Sequence, residues 1–225
     1  MYRHVPNLLT IARLVLTVAF FWILNDNDAE SFTRQMWFGF VVFLVAVATD
    51  VLDGYLARAW KVESAFGRVV DPFVDKLLIC GAFIFFSSNN FISTAVISQF
   101  SHAVTTAPIS SVRTLTGVYP WMVVVLIARE FLITSIRGLA EAQGIDFRAD
   151  WAGKVKMITQ SIAVGAVLVD LAQTGRIPWI SATRDIFIYT TIVVTILSSI
   201  TYIHRAWKLF GGGEKTSAQQ KAAVN

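Results

Sequence analysis

Asp50, Asp53, Asp71 and Asp75 crowd into one short stretch of a chain that is 55% apolar and only 15% charged. The stretch reads Asp50-Val51-Leu52-Asp53-Gly54-Tyr55-Leu56-Ala57-Arg58, then eight residues, Gly67, three residues, Asp71, three residues and Asp75. An ionised carboxylate at the centre of a membrane helix costs about 2.5–3.5 kcal/mol on insertion scales. Four together also repel one another. A fold that keeps such a cluster must neutralise it with cations, and divalent metal is the simplest candidate.

A soluble domain averages about 25% charged residues, so the shortfall here, with several long apolar runs, indicates a chain that crosses a membrane repeatedly. The formal net charge of +4 is no sign of nucleic acid, because the basic residues sit at the ends of apolar runs, where membrane topology places them. The pattern predicts an all-α integral membrane protein with six spanning helices, at about Leu8–Leu24, Phe38–Ala57, Pro72–Phe86, Trp121–Glu141, Gly153–Ala172 and Ile186–Trp207. The third is short for a span on its apolar residues alone. Arg13 interrupts the first apolar run and no small-x-small site ends it, so this run is expected to be a retained helix and not a cleaved signal. Residues 1–210 are read as one transmembrane domain and 211–225, after Gly211-Gly212-Gly213, as a polar, disordered tail.

Six helices put both termini on one side. That side receives Arg3, Arg58, Lys61, Arg68, Arg137, Arg148, Lys154, Lys156, Arg205, Lys208, Lys215 and Lys221, and the other receives Arg34, Arg113, Arg176 and Arg184. The positive-inside rule makes the first side cytoplasmic, and the aspartate cluster lies at that face. Ser87–Tyr119 is expected to face outward with a short interfacial helix near Ala95–His102. Trp37, Trp121, Trp179 and Trp207 fall near span ends, as an interfacial aromatic belt requires. His4, His102 and His204 have no metal-ligand spacing, which argues against zinc. Cys80, the single cysteine, reads as a packing residue.

At about 100° per residue, Asp50, Asp53, Gly54 and Ala57 share one helix face, and Asp71 and Asp75 share another. The short basic turn between these helices lets the two faces meet. Four carboxylates supply enough oxygen ligands for two hard cations, Mg²⁺ or Mn²⁺. Gly54, Ala57 and Gly67 add no bulk, and Arg58 can meet a phosphate held by the same metals. The combination suits phosphoryl transfer from a diphosphate to an alcohol, with one carboxylate taking the hydroxyl proton.

This stretch resembles the CDP-alcohol phosphatidyltransferase family, whose pattern D-x2-D-G-x2-A-R-x8-G-x3-D-x3-D is matched at every specified position. A chance match in a chain this long is on the order of 10⁻⁸ to 10⁻⁷ at ordinary residue frequencies. The resemblance implies two divalent metal ions, Mg²⁺ or Mn²⁺, attack by an acceptor hydroxyl on the lipid-side phosphorus, and release of CMP. It implies metal ligation by Asp50, Asp53, Asp71 and Asp75, with Asp75 the catalytic base, and a CDP-binding surface made by Gly54, Ala57, Arg58 and Gly67. A homodimer is a further implication of the family.

The N-terminal Pro6-Asn7-Leu8-Leu9-Thr10-x-x-Arg13 resembles the phosphatidylglycerophosphate synthase branch, as do Ile127–Arg137 and Gly153-Lys154-Val155-Lys156-x-x-Thr159-Gln160. That branch implies CDP-diacylglycerol as donor, sn-glycerol 3-phosphate as acceptor and a membrane lipid product. Arg129, Arg137, Lys154 and Lys156 are then candidates for the acceptor phosphate, with Glu130 orienting Arg137 from the same helix face. Asn7, Thr10, Arg13 and Glu130 are candidates to line the cavity. The rival acceptors are phosphatidylglycerol, as in cardiolipin synthesis, and an inositol phosphate. A cation transporter is the rival from another class, but carboxylates crowd at one end of the spans, Asp170 being the main isolated exception, and no internal repeat is visible. With no Arg/Ser-rich segment before the first helix, the expected location is a bacterial cytoplasmic membrane.

Overall fold

A computed structural model describes residues 5–25, 31–60, 65–88, 115–144, 151–173 and 177–222, the side chains at some helix ends excepted. All regular structure among them is helical: α1 (Val5–Asn25), α2 (Phe32–Trp60), α3 (Ala65–Phe86), α4 (Pro120–Ala142), α5 (Trp151–Leu171) and α6 (Pro178–Ala222).

Each helix buries one stripe. In α1 it is Thr10, Arg13, Thr17, Phe20 and Leu24, in α2 Met36, Phe43 and Ala46, and in α5 Lys156, Gln160, Ala163, Val164, Val167 and Leu168. The three- and four-residue steps are those of a helix face. Neighbour relations close a ring, α1–α2–α5–α6–α4–α3 and back to α1, with α3 also touching α5. The apolar core fills one end of this ring, around Phe20, Phe43, Phe83, Phe86, Met122, Leu126 and Leu168. Gly81 lets α1 approach α3, since any Cβ there would run into the Phe21 ring.

The outward faces are apolar too. Val15, Val18, Trp22, Phe38, Val41, Val124, Phe131, Val193, Leu197 and Ile200 are all exposed. Water does not tolerate so large a contiguous patch, and lipid does. Three helical stretches among the described residues, Leu8–Asn25, Phe32–Leu52 and Pro178–Lys208, are long and apolar enough to cross a membrane by length and composition. Trp37, Trp121, Trp179 and Trp207 are exposed.

Several boundaries differ from expectation. The sequence places the start of the third helix at Pro72, where the polar Asp71 and Asp75 set its limit. The structure carries α3 back to Ala65, and its 22 residues span about 33 Å at ~1.5 Å per residue, enough to cross a bilayer. Similarly, α6 begins at Pro178, with the proline in the first turn, and runs past Gly211-Gly212-Gly213 to Ala222 through a segment expected to be disordered. Glu214, Lys215, Ala218, Gln219 and Lys221 are good helix formers that offset three glycines. The expected interfacial helix at Ala95–His102 lies outside the described residues.

Asp170, set apart from the acidic cluster, has partners of its own. Arg184 donates to it, and Ser181 Oγ donates to Asp170 Oδ1 at 2.7 Å. Arg184 also donates to the Leu115 carbonyl at 2.7 Å and to Asp185 Oδ1 at 2.7 Å. This buried arginine therefore ties α5, α6 and the turn before α4. Thr116 Oγ1 secures the same turn by donating to the Phe86 carbonyl at 2.6 Å. Gly117, at φ +70°, is needed there because a Cβ would sit 2.7 Å from Asp185 Oδ1.

Breaking one partner of a buried pair strands the other charge. Arg184→Ala is expected to lose about 3–5 kcal/mol of stability, read by denaturant unfolding in detergent. The double variant Asp170→Leu/Arg184→Met should recover much of that loss; equal instability of the two would contradict the ion-pair account.

Candidate functional site

Among the described residues, the polar half of the bundle holds two connected groups of charge, each built around buried side chains. The first forms where α1, α2 and α3 meet. Asp50 lies where the α2 face leaves the core, and Asp75 lies on α3 one residue after the buried Val74. Both turn to Arg13 of α1. Arg13 Nη1 pairs with Asp50 Oδ1 at 2.5 Å and donates to Asp75 Oδ1. Arg13 is 1% exposed, while the Asp50 and Asp75 side chains are 32% and 28% exposed. The carboxylates are therefore partly accessible, while the guanidinium behind them is enclosed. Thr10, also buried, sits one turn before Arg13, and Thr17 Oγ1 donates to the Arg13 carbonyl at 2.8 Å.

Asp53, Gly54, Ala57 and Arg58 continue α2 beyond Asp50, and Gly67 and Asp71 lie in the first two turns of α3. Their side chains, with those of Asn7 and Lys154, lie outside the described residues. Among the described residues no third His, Cys, Asp or Glu joins Asp50 and Asp75.

The donor set nonetheless fits a hard cation. Carboxylate oxygens from two helices converge on one positively charged nitrogen, and oxygen-only ligation is what Mg²⁺ and Mn²⁺ prefer.

The second group joins α4, α5 and α6. Glu130 and Arg129 are each 8% exposed and Lys156 is 5% exposed. Lys156 Nζ donates to Glu130 Oε1, and Arg129 Nη1 donates to the same oxygen at 3.1 Å. Arg129 Nη2 reaches Ser198 Oγ at 3.4 Å, and its guanidinium lies 5.8 Å from the centre of the Tyr202 ring, a cation–π distance. Two cations thus face one carboxylate. Arg129 Nε and the buried Gln160 Nε2 have no hydrogen-bond partner among the described residues. Buried donors and surplus positive charge are what an anionic group requires.

One expectation changes here. Glu130 does not orient Arg137. It closes on Arg129 and Lys156, and Arg137 is exposed two turns further along α4. Lys156, a candidate for the acceptor phosphate, has its ammonium buried against Glu130.

Sequence reasoning passed over Ser198 and Tyr202, and weighed Lys76 only as a partner for an aspartate. The first two belong to a buried stripe on α6 that also contains Thr191 and Thr195. Polar residues at helical spacing in an apolar helix were the available signal. Lys76 donates to Thr134 Oγ1 on α4, so consecutive residues of α3 serve different groups, Asp75 the acidic one and Lys76 the side of α4 that carries Glu130.

Known proteins with related sequences are enzymes of lipid synthesis by name. The chain is 28% identical over 213 residues to the CDP-diacylglycerol–glycerol-3-phosphate 3-phosphatidyltransferase of Bacillus subtilis (strain 168), covering 91% of this chain and 96% of that one. It is 29% identical over 208 residues to the protein of the same name from Haemophilus influenzae, covering 90% and 93%. A probable phosphatidylglycerophosphate synthase of Mycobacterium tuberculosis is 27% identical over 216 residues, covering 96% and 87%. Residues 3–197 match the CDP-alcohol phosphatidyltransferase family as a whole. With that match spanning all but the last part of the bundle, and the family's acidic pattern running along α2 and α3, the chain belongs to the CDP-alcohol phosphatidyltransferase family.

Proposed function

We propose that this integral membrane enzyme transfers a phosphatidyl group from CDP-diacylglycerol to sn-glycerol 3-phosphate, giving phosphatidylglycerophosphate and CMP. The observation that carries the choice of acceptor is the buried surplus of cations, Arg129 and Lys156 against Glu130, within the same bundle as Asp50 and Asp75. A phosphorylated acceptor brings the missing negative charge, whereas a phosphatidylglycerol acceptor would need a second lipid groove and less positive charge. The names of the relatives support the same acceptor.

In this reading Asp50, Asp53, Asp71 and Asp75 hold two Mg²⁺ or Mn²⁺ ions. Those ions, when bound, neutralise the diphosphate and stabilise the departing CMP. Asp75 takes the proton from the attacking acceptor hydroxyl. Gly54, Ala57 and Gly67 leave room for the cytidine diphosphate, and Arg58 pairs with a phosphate oxygen. Arg129 and Lys156 orient the acceptor phosphate, with Arg137 and Lys154 nearer the entrance. The six helices all span the bilayer, both termini are cytoplasmic, and the site opens to the cytoplasm of a bacterial cell. The lipid tails lie in the bilayer beside α2 and α3, and the enzyme works as a homodimer.

Purified protein in detergent, given CDP-diacylglycerol and Mg²⁺ or Mn²⁺, is expected to release CMP with sn-glycerol 3-phosphate but not with myo-inositol 1-phosphate or phosphatidylglycerol. Asp75→Asn should abolish that release. Release with another acceptor would overturn the acceptor assignment.

Chelation by EDTA is expected to stop CMP release, and added Mg²⁺ or Mn²⁺ to restore it. Full activity in excess chelator would remove the metal reading.

Lys156→Gln should raise KM for glycerol 3-phosphate about ten- to a hundredfold, the worth of one charged hydrogen bond at about 1.5–3 kcal/mol. KM for CDP-diacylglycerol should change little. An equal rise in both KM values would place Lys156 outside the acceptor pocket.

A further inference from the structure

Arg13 takes no part in the reaction as proposed, yet it is the residue on which Asp50 and Asp75 converge. Its side chain is almost wholly buried inside an otherwise apolar stretch of α1. One nitrogen, Nη1, meets an oxygen from α2 and an oxygen from α3. A cation bound by those same two oxygens would lie close to that point. A Mg²⁺ ion sits about 2.0–2.1 Å from each oxygen it binds. The guanidinium nitrogen stands 2.5 Å from Asp50 Oδ1. Ion and nitrogen cannot occupy the same position.

We propose that Arg13 is a built-in counter-cation that competes with divalent metal for Asp50 and Asp75. In the metal-free protein it neutralises the pair and holds α1 against α2 and α3. Metal entry displaces the guanidinium, and the flexible arginine stem allows that release while the helix backbone stays in place. The inference rests on the metal reading of Asp50 and Asp75 above. It differs in sign from an ordinary structural ion pair. A residue that merely positioned the two ligands would help metal bind, and its loss would weaken the site. A competitor hinders metal, and its loss strengthens the site while destabilising the empty protein, because two neighbouring carboxylates then repel.

The test is Mn²⁺ binding, followed by the EPR signal of free Mn²⁺, for the full chain in detergent as wild type, Arg13→Gln, Arg13→Lys and Asp50→Asn. Arg13→Gln is expected to bind Mn²⁺ about tenfold more tightly than wild type, a difference of about 1.4 kcal/mol. Arg13→Lys keeps the charge and should stay close to wild type. Without metal, Arg13→Gln should melt below wild type, and saturating Mn²⁺ should close the gap. Equal or weaker Mn²⁺ binding by Arg13→Gln overturns the proposal. If Arg13→Gln stays folded only with metal, it is purified in Mn²⁺ and titrated with EDTA; loss of Mn²⁺ at lower chelator than wild type overturns the proposal, and loss at higher chelator supports it. Wild-type binding that disappears in Asp50→Asn upholds the metal reading whatever Arg13 does. Absence of binding by wild type sinks both.

Discussion

Charge neutralisation inside an apolar bundle is the constraint on which this structure depends. Away from water, an ionised side chain is tolerated only beside an opposite charge or a dense set of hydrogen bonds. Among the described residues, three pairings meet that requirement, each with at least one partner buried. Arg13 meets Asp50 and Asp75, Glu130 meets Arg129 and Lys156, and Asp170 meets Arg184. Together they link α1 to α2 and α3, α4 to α5, and α5 to α6. Apolar contact alone would let these helices rotate or slide, since lipid solvates a leucine as well as a neighbouring helix does. The ion pairs fix rotation and depth.

The same requirement places the chemistry. At one end of the ring Phe20, Phe43, Phe83, Phe86 and Leu168 fill the space between helices, and α5 and α6 are locked to the returning turn by Arg184. At the other end the stripes turn polar, through Thr10 and Arg13 on α1, Lys156 and Gln160 on α5, and Ser198 and Tyr202 on α6. Helix α3 joins the halves. Asp75 addresses Arg13, and the next residue, Lys76, addresses Thr134 of α4. An acidic group and a basic group thus share one bundle, the arrangement that a diphosphate donor and a phosphorylated acceptor would require.

Much of this was legible in the residues, and the reasons for the failures are specific. The apolar runs located all the helices found among the described residues, because a bilayer admits few alternatives to a helix. Their ends were less legible. The polar Asp71 and Asp75 put the start of the third helix at Pro72, but α3 begins at Ala65, and the polar stretch after Gly211-Gly212-Gly213 was expected to be disordered, but α6 runs through it. Local punctuation is weak when neighbouring residues favour helix. Glu130 was assigned to Arg137 by helical periodicity, whereas Lys156 lies 26 residues away in sequence and reaches it directly. The pairing of Asp170 with Arg184 was hidden for the same reason, since Arg184 lies on another helix.

The sequence by itself determined the class of chain and the chemistry it carries. Composition dictates membrane helices, and the spacing of Asp50, Asp53, Asp71 and Asp75 follows from helical geometry within two adjacent segments. Only the tertiary structure decided which charges meet. Arg13 belongs to a different helix from either aspartate, and Arg129, Lys156 and Tyr202 come from three helices. Such partners are chosen by the rotation and order of helices around a closed ring, and a linear pattern with a period of 3.6 residues specifies a face without specifying what that face will touch.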